Sequence, residues 1–302
     1  MDIDALKDFQ LVASHGGFGK ASRASGRPKA TLSRRVSELE DALGVRLVER
    51  GGQSAVLTEA GHALMRRTEG PMREVAEAFE AARDGSAAPR GLLRIAAPHL
   101  FSQLALGRLA AAFVARYPDV EVETMSDDRF VNIVDEHFDV AIRINPSKDS
   151  QLVGRRFALD RLVLAAAPAI PKPKGKRGGP LSVPAVVMPS YRDGDTWTTR
   201  DGRIAVQPRP VLRLSSLLTV RDAVAAGAGI GLLPQSIVGS LLDRGELVSW
   251  GTVGDDVELW VLHASRRLES PKVRAFVDFM AVQYPDGIFT VEDRTSARRP
   301  VG

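Results

Sequence analysis

The hydrophobic period changes once along this chain, across Ser86–Gly91, and that change limits what each side can fold into. Ahead of it, apolar residues recur at helical spacing almost throughout. Behind it, short apolar runs alternate with helical stretches. Small residues and Pro89 make the junction a hinge.

On the amino-terminal side, Leu6, Phe9, Val12 and Ala13 predict a helix over 4–15, broken by His15-Gly16-Gly17. A second short helix covers 19–25 and ends at Gly26. Pro28 opens a third, since the first helical turn does not need its missing N–H. Leu32, Val36, Leu39 and Leu43 bury that helix on one side, and Gly44 stops it. Extended stretches at 46–49 and 55–58 flank Gly51-Gly52 and predict a small hairpin. Two helices joined by a tight turn and followed by a hairpin describe a winged helix-turn-helix.

Charge is distributed unevenly there. Lys20, Arg23, Arg27, Lys29, Arg34 and Arg35 occur with no Asp or Glu among them, and Glu38, Glu40 and Asp41 then reverse the sign. With Leu32 and Val36 inward, Lys29, Ser33 and Arg34 cluster near the exposed amino-terminal end of the third helix. That end of a recognition helix reads base edges, Arg matches the paired acceptors of guanine, and a helix start attracts phosphate. The plainer alternative is a solvated basic surface. A net charge of +4 permits an anionic partner without requiring one.

From Thr58 to about Gly85 a single long helix is expected, with Leu64, Thr68, Pro71, Val75, Phe79 and Ala82 in one stripe and a kink at Gly70-Pro71. A long helix with a narrow stripe seeks a partner helix, here from a second copy; packing onto its own chain is the alternative. Leu64, Val75, Phe79 and Ala82 are the candidate dimerisation residues.

Beyond the hinge, strands at 92–98, 120–125 and 138–144 alternate with helices at 101–116 and 131–137. Further strands follow at 161–166, 210–214, 229–234, 247–250 and 258–263, with helices at 216–226 and 271–283. This is an α/β domain with a largely parallel sheet, trailed by a flexible tail over 286–302.

Little here suggests catalysis. There is no cysteine, and the five histidines (15, 62, 99, 137, 263) are scattered without metal-ligand spacing, so neither metal nor cofactor is expected. "GAGIG" (227–231) follows a helix and precedes a strand, the reverse of a dinucleotide loop, and no G-x-S-x-G elbow occurs. No apolar run is long enough to span a bilayer, and Met1-Asp2-Ile3-Asp4 lacks the features of a signal peptide. A non-enzymatic cytoplasmic protein without membrane contact is expected.

The strings "TLSRRVSELEDALGVRLVER" (31–50), "LTEAG" (57–61), "LRIAAP" (93–98), "AFVARYPDVEVE" (112–123), "FDVAIRI" (138–144) and "VAAGAGIGLLP" (224–234) resemble the LysR-type transcriptional regulators of bacteria. The resemblance spans about 3–285 and is greatest to the branch with the "AIRI" strand. It implies an α/β protein with a winged helix-turn-helix on DNA (1–58), a linker and dimerisation helix with its hinge (59–90), and a two-lobed effector domain like a type 2 periplasmic binding protein (91–285).

Carried over residue by residue, the resemblance puts Thr31, Ser33, Arg34 and Arg35 on double-stranded DNA, with Arg27, Lys29 and Arg50 beside them. Lys29-Ala30 stands where the family has Gln-Pro. Gly51, Gly52, Gln53 and Ser54 replace its usual basic wing. Effector positions fall on His99, Leu100, Phe101, Ser102 and Gln103, on Arg143 and Asn145, and on Ser215 and Ser216. Residues 168–189, with six prolines, depart most from the family pattern.

The implied protein is a sequence-specific DNA-binding regulator, a homodimer or dimer of dimers, with RNA polymerase as a further candidate partner. Its effector segments offer hydroxyls, an amide, a guanidinium and helix-start N–H groups with no carboxylate, so a small organic acid is expected. The alternatives are a cytoplasmic small-molecule binding protein with no gene-regulatory role and a structural nucleoid protein.

Overall fold

The computed structural model describes residues 2–49, 56–84, 88–128, 138–147, 152–173, 179–264 and 270–291. These form two compact units, meeting in sequence between Ala88 and Pro89.

In the first unit, α1 (Ile3–Ser14), α2 (Phe18–Ser25) and α3 (Lys29–Leu43) enclose Phe9, Val12, Leu32, Val36 and Leu47. Gly26 and Gly44 end α2 and α3 at φ of 71° and 69°, a conformation that favours glycine. Pro28 sits one residue ahead of α3, as its cap. The hairpin is present but short: β1 (Val48–Glu49) pairs antiparallel with β2 (Val56–Leu57). The wing residues 50–55, Arg50 among them, lie outside the described residues.

Thr58 links the wing to α4 (Glu59–Asp84). Its hydroxyl donates to the Arg46 carbonyl at 2.6 Å and accepts from the Gly61 N–H at 3.0 Å. A Cβ at Gly61 would lie 2.1 Å from the Leu47 carbonyl oxygen, so only glycine lets helix and wing approach this closely. α4 runs unbroken with Pro71 inside it.

The second unit has two lobes. A six-stranded sheet has the order β10-β6-β11-β5-β3-β4, with β3 Gly91–Ala97, β4 Val120–Ser126, β5 Val140–Ile144, β6 Leu152–Ala166, β10 Gly231–Pro234 and β11 Val248–Ala264. A smaller sheet, β7-β9-β8, comprises Leu181–Val187, Ala205–Arg213 and Trp197–Thr198. The first lobe's core holds Ile95, Leu109, Phe113, Phe157 and Phe276. It is covered by α6 (Gly107–Arg116) and α9 (Pro271–Ala281). The second lobe buries Val163, Val186, Leu233 and Trp250, with α7 (Leu217–Ala225) and α8 (Gln235–Asp243) packed on it.

Several expectations need correction. In the six-stranded sheet β3 pairs in parallel with β4 and β5, whereas β11 and β10 run antiparallel to their neighbours, so that sheet is mixed; in the smaller sheet β7 and β9 are parallel. β6 and β11 are long crossover strands that pair from one lobe into the other, with β11 stepping register at three irregularities. Its polar stretch around Gly254-Asp255-Asp256 is what made one strand look like two. Strands β7 and β8 and helix α8 were not expected. Pro184 lies inside β7, yet its carbonyl still accepts from Ile230 N–H at 2.9 Å.

The expected tail is anchored at its start. Phe289 is buried against Phe101 and Tyr284, and its N–H donates to the Leu159 carbonyl at 2.8 Å. Residues 292–302, like 131–137, lie outside the described residues.

Candidate DNA-reading face and effector cleft

The cation cluster sorts into two groups. The Arg27 guanidinium donates to the carboxylate of Asp8 on α1, whose side chain is only 1% exposed. Arg35 reaches the other Asp8 oxygen at 3.6 Å and Asp4 at 3.8 Å. These two arginines neutralise carboxylates supplied by α1, so the structure places them in the packing of α1 against α3. Arg34 is exposed and, among the described residues, pairs only with Glu38 one turn on, at 2.5 Å. Lys29 and Ser33 are exposed on the same helix, and Thr31 is half-buried. No side chain caps the start of α3. The Thr31 N–H donates to the Pro28 carbonyl at 3.0 Å, which leaves the N–H groups of Lys29 and Ala30 as those an anion could meet.

Glu40, which sequence reasoning had treated only as part of a sign change, is buried. Its Oε1 accepts from the N–H groups of Leu47 at 2.7 Å and Val48 at 3.1 Å and so fixes the root of the wing.

The stripe on α4 divides. Leu64, with Met65 and Met72, packs against the unit's own core, and Gln10 Nε2 donates to Thr68 Oγ1 at 3.0 Å. Leu64 is thus committed within its own chain, as that half of the helix covers the apolar side of α1–α3. Val75 and Phe79 are 40% and 68% exposed. The Ala82 side chain lies outside the described residues.

In the second unit, β3 leads into a helix made of α5 (His99–Phe101), a π-helical turn (Ser102–Leu106) and α6. π turns are uncommon and are frequent at functional sites. Leu100 packs on the second lobe's core, while Phe101 is buried in the first against Phe157 and Phe289. These two expected effector contacts are core residues, because a helix starting between the lobes must bury both of its sides. Ser102 Oγ is shielded from solvent and has no hydrogen-bond partner among the described residues. His99 and Gln103 are exposed.

A carboxylate from outside the expected effector segments also stands here, since Asp128 Oδ1 accepts from the His99 N–H at 2.9 Å. Arg143 is 9% exposed and engaged with other groups of the chain. Asn145, at φ 44°, gives its Oδ1 to the Glu258 N–H at 2.7 Å and holds β5 on β11.

Ser216 caps α7 in an extended conformation, but its hydroxyl makes no capping hydrogen bond. Ser215 is exposed beside it. Leu214 and Leu217 pack on the same apolar cluster as Leu100 and Leu104, which brings the two helix starts to one region. The loops after β7 and β9 also run side by side, with the Leu214 N–H on the Val187 carbonyl at 3.0 Å.

A slot of about 250 Å³ opens at this carboxyl end of β7. The Tyr191 and Trp197 rings meet edge to face, centroids 5.7 Å apart. Tyr191 Oη donates to the Asp195 and Pro208 carbonyls at 3.0 and 3.2 Å. Burial, then the charges of Asp195 and Asp193, holds its hydroxyl above the usual phenol range.

On the crossover strand, Asp160 caps α8 from a distance, accepting from Ser236 Oγ at 2.6 Å and Ser236 N–H at 3.2 Å. Desolvation pushes its carboxyl above the ordinary range despite these bonds. "GAGIG" is a packing turn: a Cβ at Gly229 would lie 2.6 Å from the Pro184 oxygen. Among the described residues, no group of acidic, His or Cys side chains could hold a metal ion, and no helix is long and apolar enough to cross a membrane.

A winged helix-turn-helix followed by a two-lobed sensing fold defines a class of one-component regulators, and sequence comparison places the chain within it. Residues 3–62 match the bacterial regulatory helix-turn-helix protein, lysR family, and 86–284 match the LysR substrate binding domain. The chain belongs to the LysR-type transcriptional regulators, a family of regulators and not of enzymes.

Among its relatives is the HTH-type transcriptional regulator PtxR of Pseudomonas aeruginosa, 30% identical over 92% of this chain and 91% of that protein. The HTH-type transcriptional repressor PA14_22550 of the same species is 28% identical over 92% and 90%. The full-length structure of the Vibrio cholerae virulence activator AphB aligns with a TM-score of 0.54 at 26% identity, covering 93% of this chain and 98% of that one. One relative is named a repressor and another an activator, so relatedness does not fix the direction of control.

Proposed function

We propose that this chain acts as a cytoplasmic, sequence-specific regulator, reading DNA as a homodimer through Lys29, Thr31, Ser33 and Arg34, under control of a small organic acid. The observation that carries the DNA reading is the division of the cations. Asp8 and Asp4, from α1, hold Arg27 and Arg35, whereas Lys29 at the start of α3 and Arg34 one turn on stand exposed, Arg34 paired with the exposed Glu38 of its own helix. Val75 and Phe79 supply the apolar surface for the second copy.

For the effector, support falls on α7. Asp128 already occupies the His99 N–H, but the start of α7 keeps its N–H groups without a side-chain cap, beside Ser215 and Ser216. Ser102 Oγ adds an unused polar group at the other helix start.

Ser216→Asp tests this directly. Aspartate is a good cap, so the fold is retained, but its carboxylate takes the N–H groups and repels an anion. Calorimetry with a panel of small acids, amines and neutral compounds should find acids that bind the parent protein and not Ser216→Asp. Binding of cations or neutral compounds alone, or acid binding indifferent to the substitution, contradicts the effector reading. A protein that senses ligands without regulating genes would not be retained on DNA at low salt.

A further inference from the structure

The slot at the end of β7 has a chemistry distinct from the start of α7 beside it. Its floor is apolar, from Met188, Val220 and Leu232, and its wall is aromatic, from Tyr191 and Trp197. At about 250 Å³ it exceeds the roughly 150 Å³ apolar cavity that accepts benzene. One ring or a branched alkyl group therefore fits.

Ser190 and Asp195 line it as well, and among the described residues no Lys, Arg or His does. Neighbouring Asp193 is held by Arg213 at 2.5 Å, while the Asp195 carboxylate has no ion-pair partner among the described residues. Tyr191 is occupied too, since its hydroxyl donates to two carbonyls of the chain. The Arg213 guanidinium, paired with Asp193, already stands 5.9 Å from the Tyr191 ring centroid, so a charged group in this slot would meet the Asp195 carboxylate and the Trp197 ring, which favour an ammonium over a carboxylate. The uncapped α7 start favours the reverse. The two environments adjoin, because the parallel strands β7 and β9 deliver their following loops side by side.

We infer that the effector is an α-amino acid with an apolar side chain: its carboxylate at Ser215, Ser216 and the α7 N–H groups, its ammonium facing Asp195, and its side chain in the Tyr191–Trp197 slot. This rests on the effector reading given above and narrows it from organic acids in general.

The test uses calorimetry on the full chain with four probes: L-phenylalanine, L-leucine, 3-phenylpropionate (no amine) and phenethylamine (no carboxylate). At least one amino acid should bind, at least tenfold tighter than both truncated analogues. Met188→Trp, which fills the slot, and Trp197→Ala, which removes its wall, should each weaken that binding tenfold or more. Asp195→Asn should narrow the gap between phenylalanine and 3-phenylpropionate. Unchanged melting temperature and DNA affinity without ligand would show that each variant is folded.

The inference is overturned if neither amino acid binds, if 3-phenylpropionate equals phenylalanine, or if binding ignores both slot variants. Acids that bind through Ser216 but ignore the slot would sink this inference while leaving the broader effector reading intact.

Discussion

The guanidinium of Arg27 is bound to the carboxylate of Asp8, a buried acid that α1 presents to the start of the basic segment. Arg27 itself is 47% exposed, so removing it should cost less than breaking a fully buried pair, about 1–3 kcal/mol for leaving the Asp8 carboxylate less satisfied. Arg27→Ala should fall at the low end, since Arg35 still stands 3.6 Å from Asp8. Denaturant unfolding should show this loss while the ratio of specific to random DNA affinity stays unchanged. Parent-like stability with lost specificity would return Arg27 to the DNA-reading set.

Arg34 and Lys29 should separate by what they touch. Arg34→Ala is expected to cost roughly 1–3 kcal/mol of base discrimination. Lys29→Ala should weaken all sequences alike and reduce the salt slope by about one. Titrations over a range of salt concentrations distinguish the two. An Arg34→Ala protein with its full specificity ratio contradicts the assignment.

Glu40 should matter to DNA binding without touching DNA. Glu40→Ala strands the Leu47 and Val48 N–H groups, at about 1–3 kcal/mol for each buried donor left unsatisfied. Glu40→Gln keeps an acceptor oxygen and should recover much of the loss. Equal effects from the two variants would mean that charge, not wing support, is what Glu40 provides.

Phe79→Glu should yield monomers with weak operator affinity, because the Phe79 ring is 68% exposed on α4 and would meet the second copy. Sedimentation velocity decides this. A dimer that survives the substitution puts the main contact elsewhere.

Asp160 gives a pH dependence with a definite sign. Burial raises its carboxyl above the ordinary 3.8, so the folded state binds this proton more readily than the unfolded chain. Its contribution to stability is full below 3.8 and is lost as pH rises through the raised value. Asp201 and Asp256, lowered mainly by hydrogen bonds from Thr199 and Arg200, contribute above 3.8 and lose that contribution as pH falls through their lowered values. The melting temperature of Asp160→Asn relative to the parent should therefore be more favourable at pH 7 than at pH 3.5. The opposite trend would contradict a raised value.

Where periodicity and a local stop signal coincide, the elements were legible. α2 and α3 close at glycines with positive φ, α1 ends at His15 just ahead of Gly16-Gly17, and α7 and α9 carry clear apolar spacing. What escaped depends on distant partners. α8 contains Gly239 and takes its capping carboxylate from Asp160, 76 residues earlier in sequence, so no local signature announces it. β7 carries a proline that its sheet tolerates, and the exposed half of β6 alternates too weakly to stand out.

The candidate site divides in the same way. The exposure of Lys29, Ser33 and Arg34 on α3 was readable from helix phase. The capture of Arg27 and Arg35 by α1 was not, because charge clusters in sequence do not reveal carboxylates brought in by packing. Phe101 and Asn145 were placed on the effector by position in the chain, and the fold uses the first in its core and the second to hold two strands together.

The central claim is that α3 reads DNA sequence, and the most direct measurement is to sequence genomic fragments captured by the purified full chain and by its Arg34→Ala variant. The account predicts a small set of fragments sharing two-fold related half-sites, enriched by the parent protein, with that enrichment lost in the variant while nonspecific binding persists. Fragments recovered without sequence preference, or the same enrichment by both proteins, would contradict it.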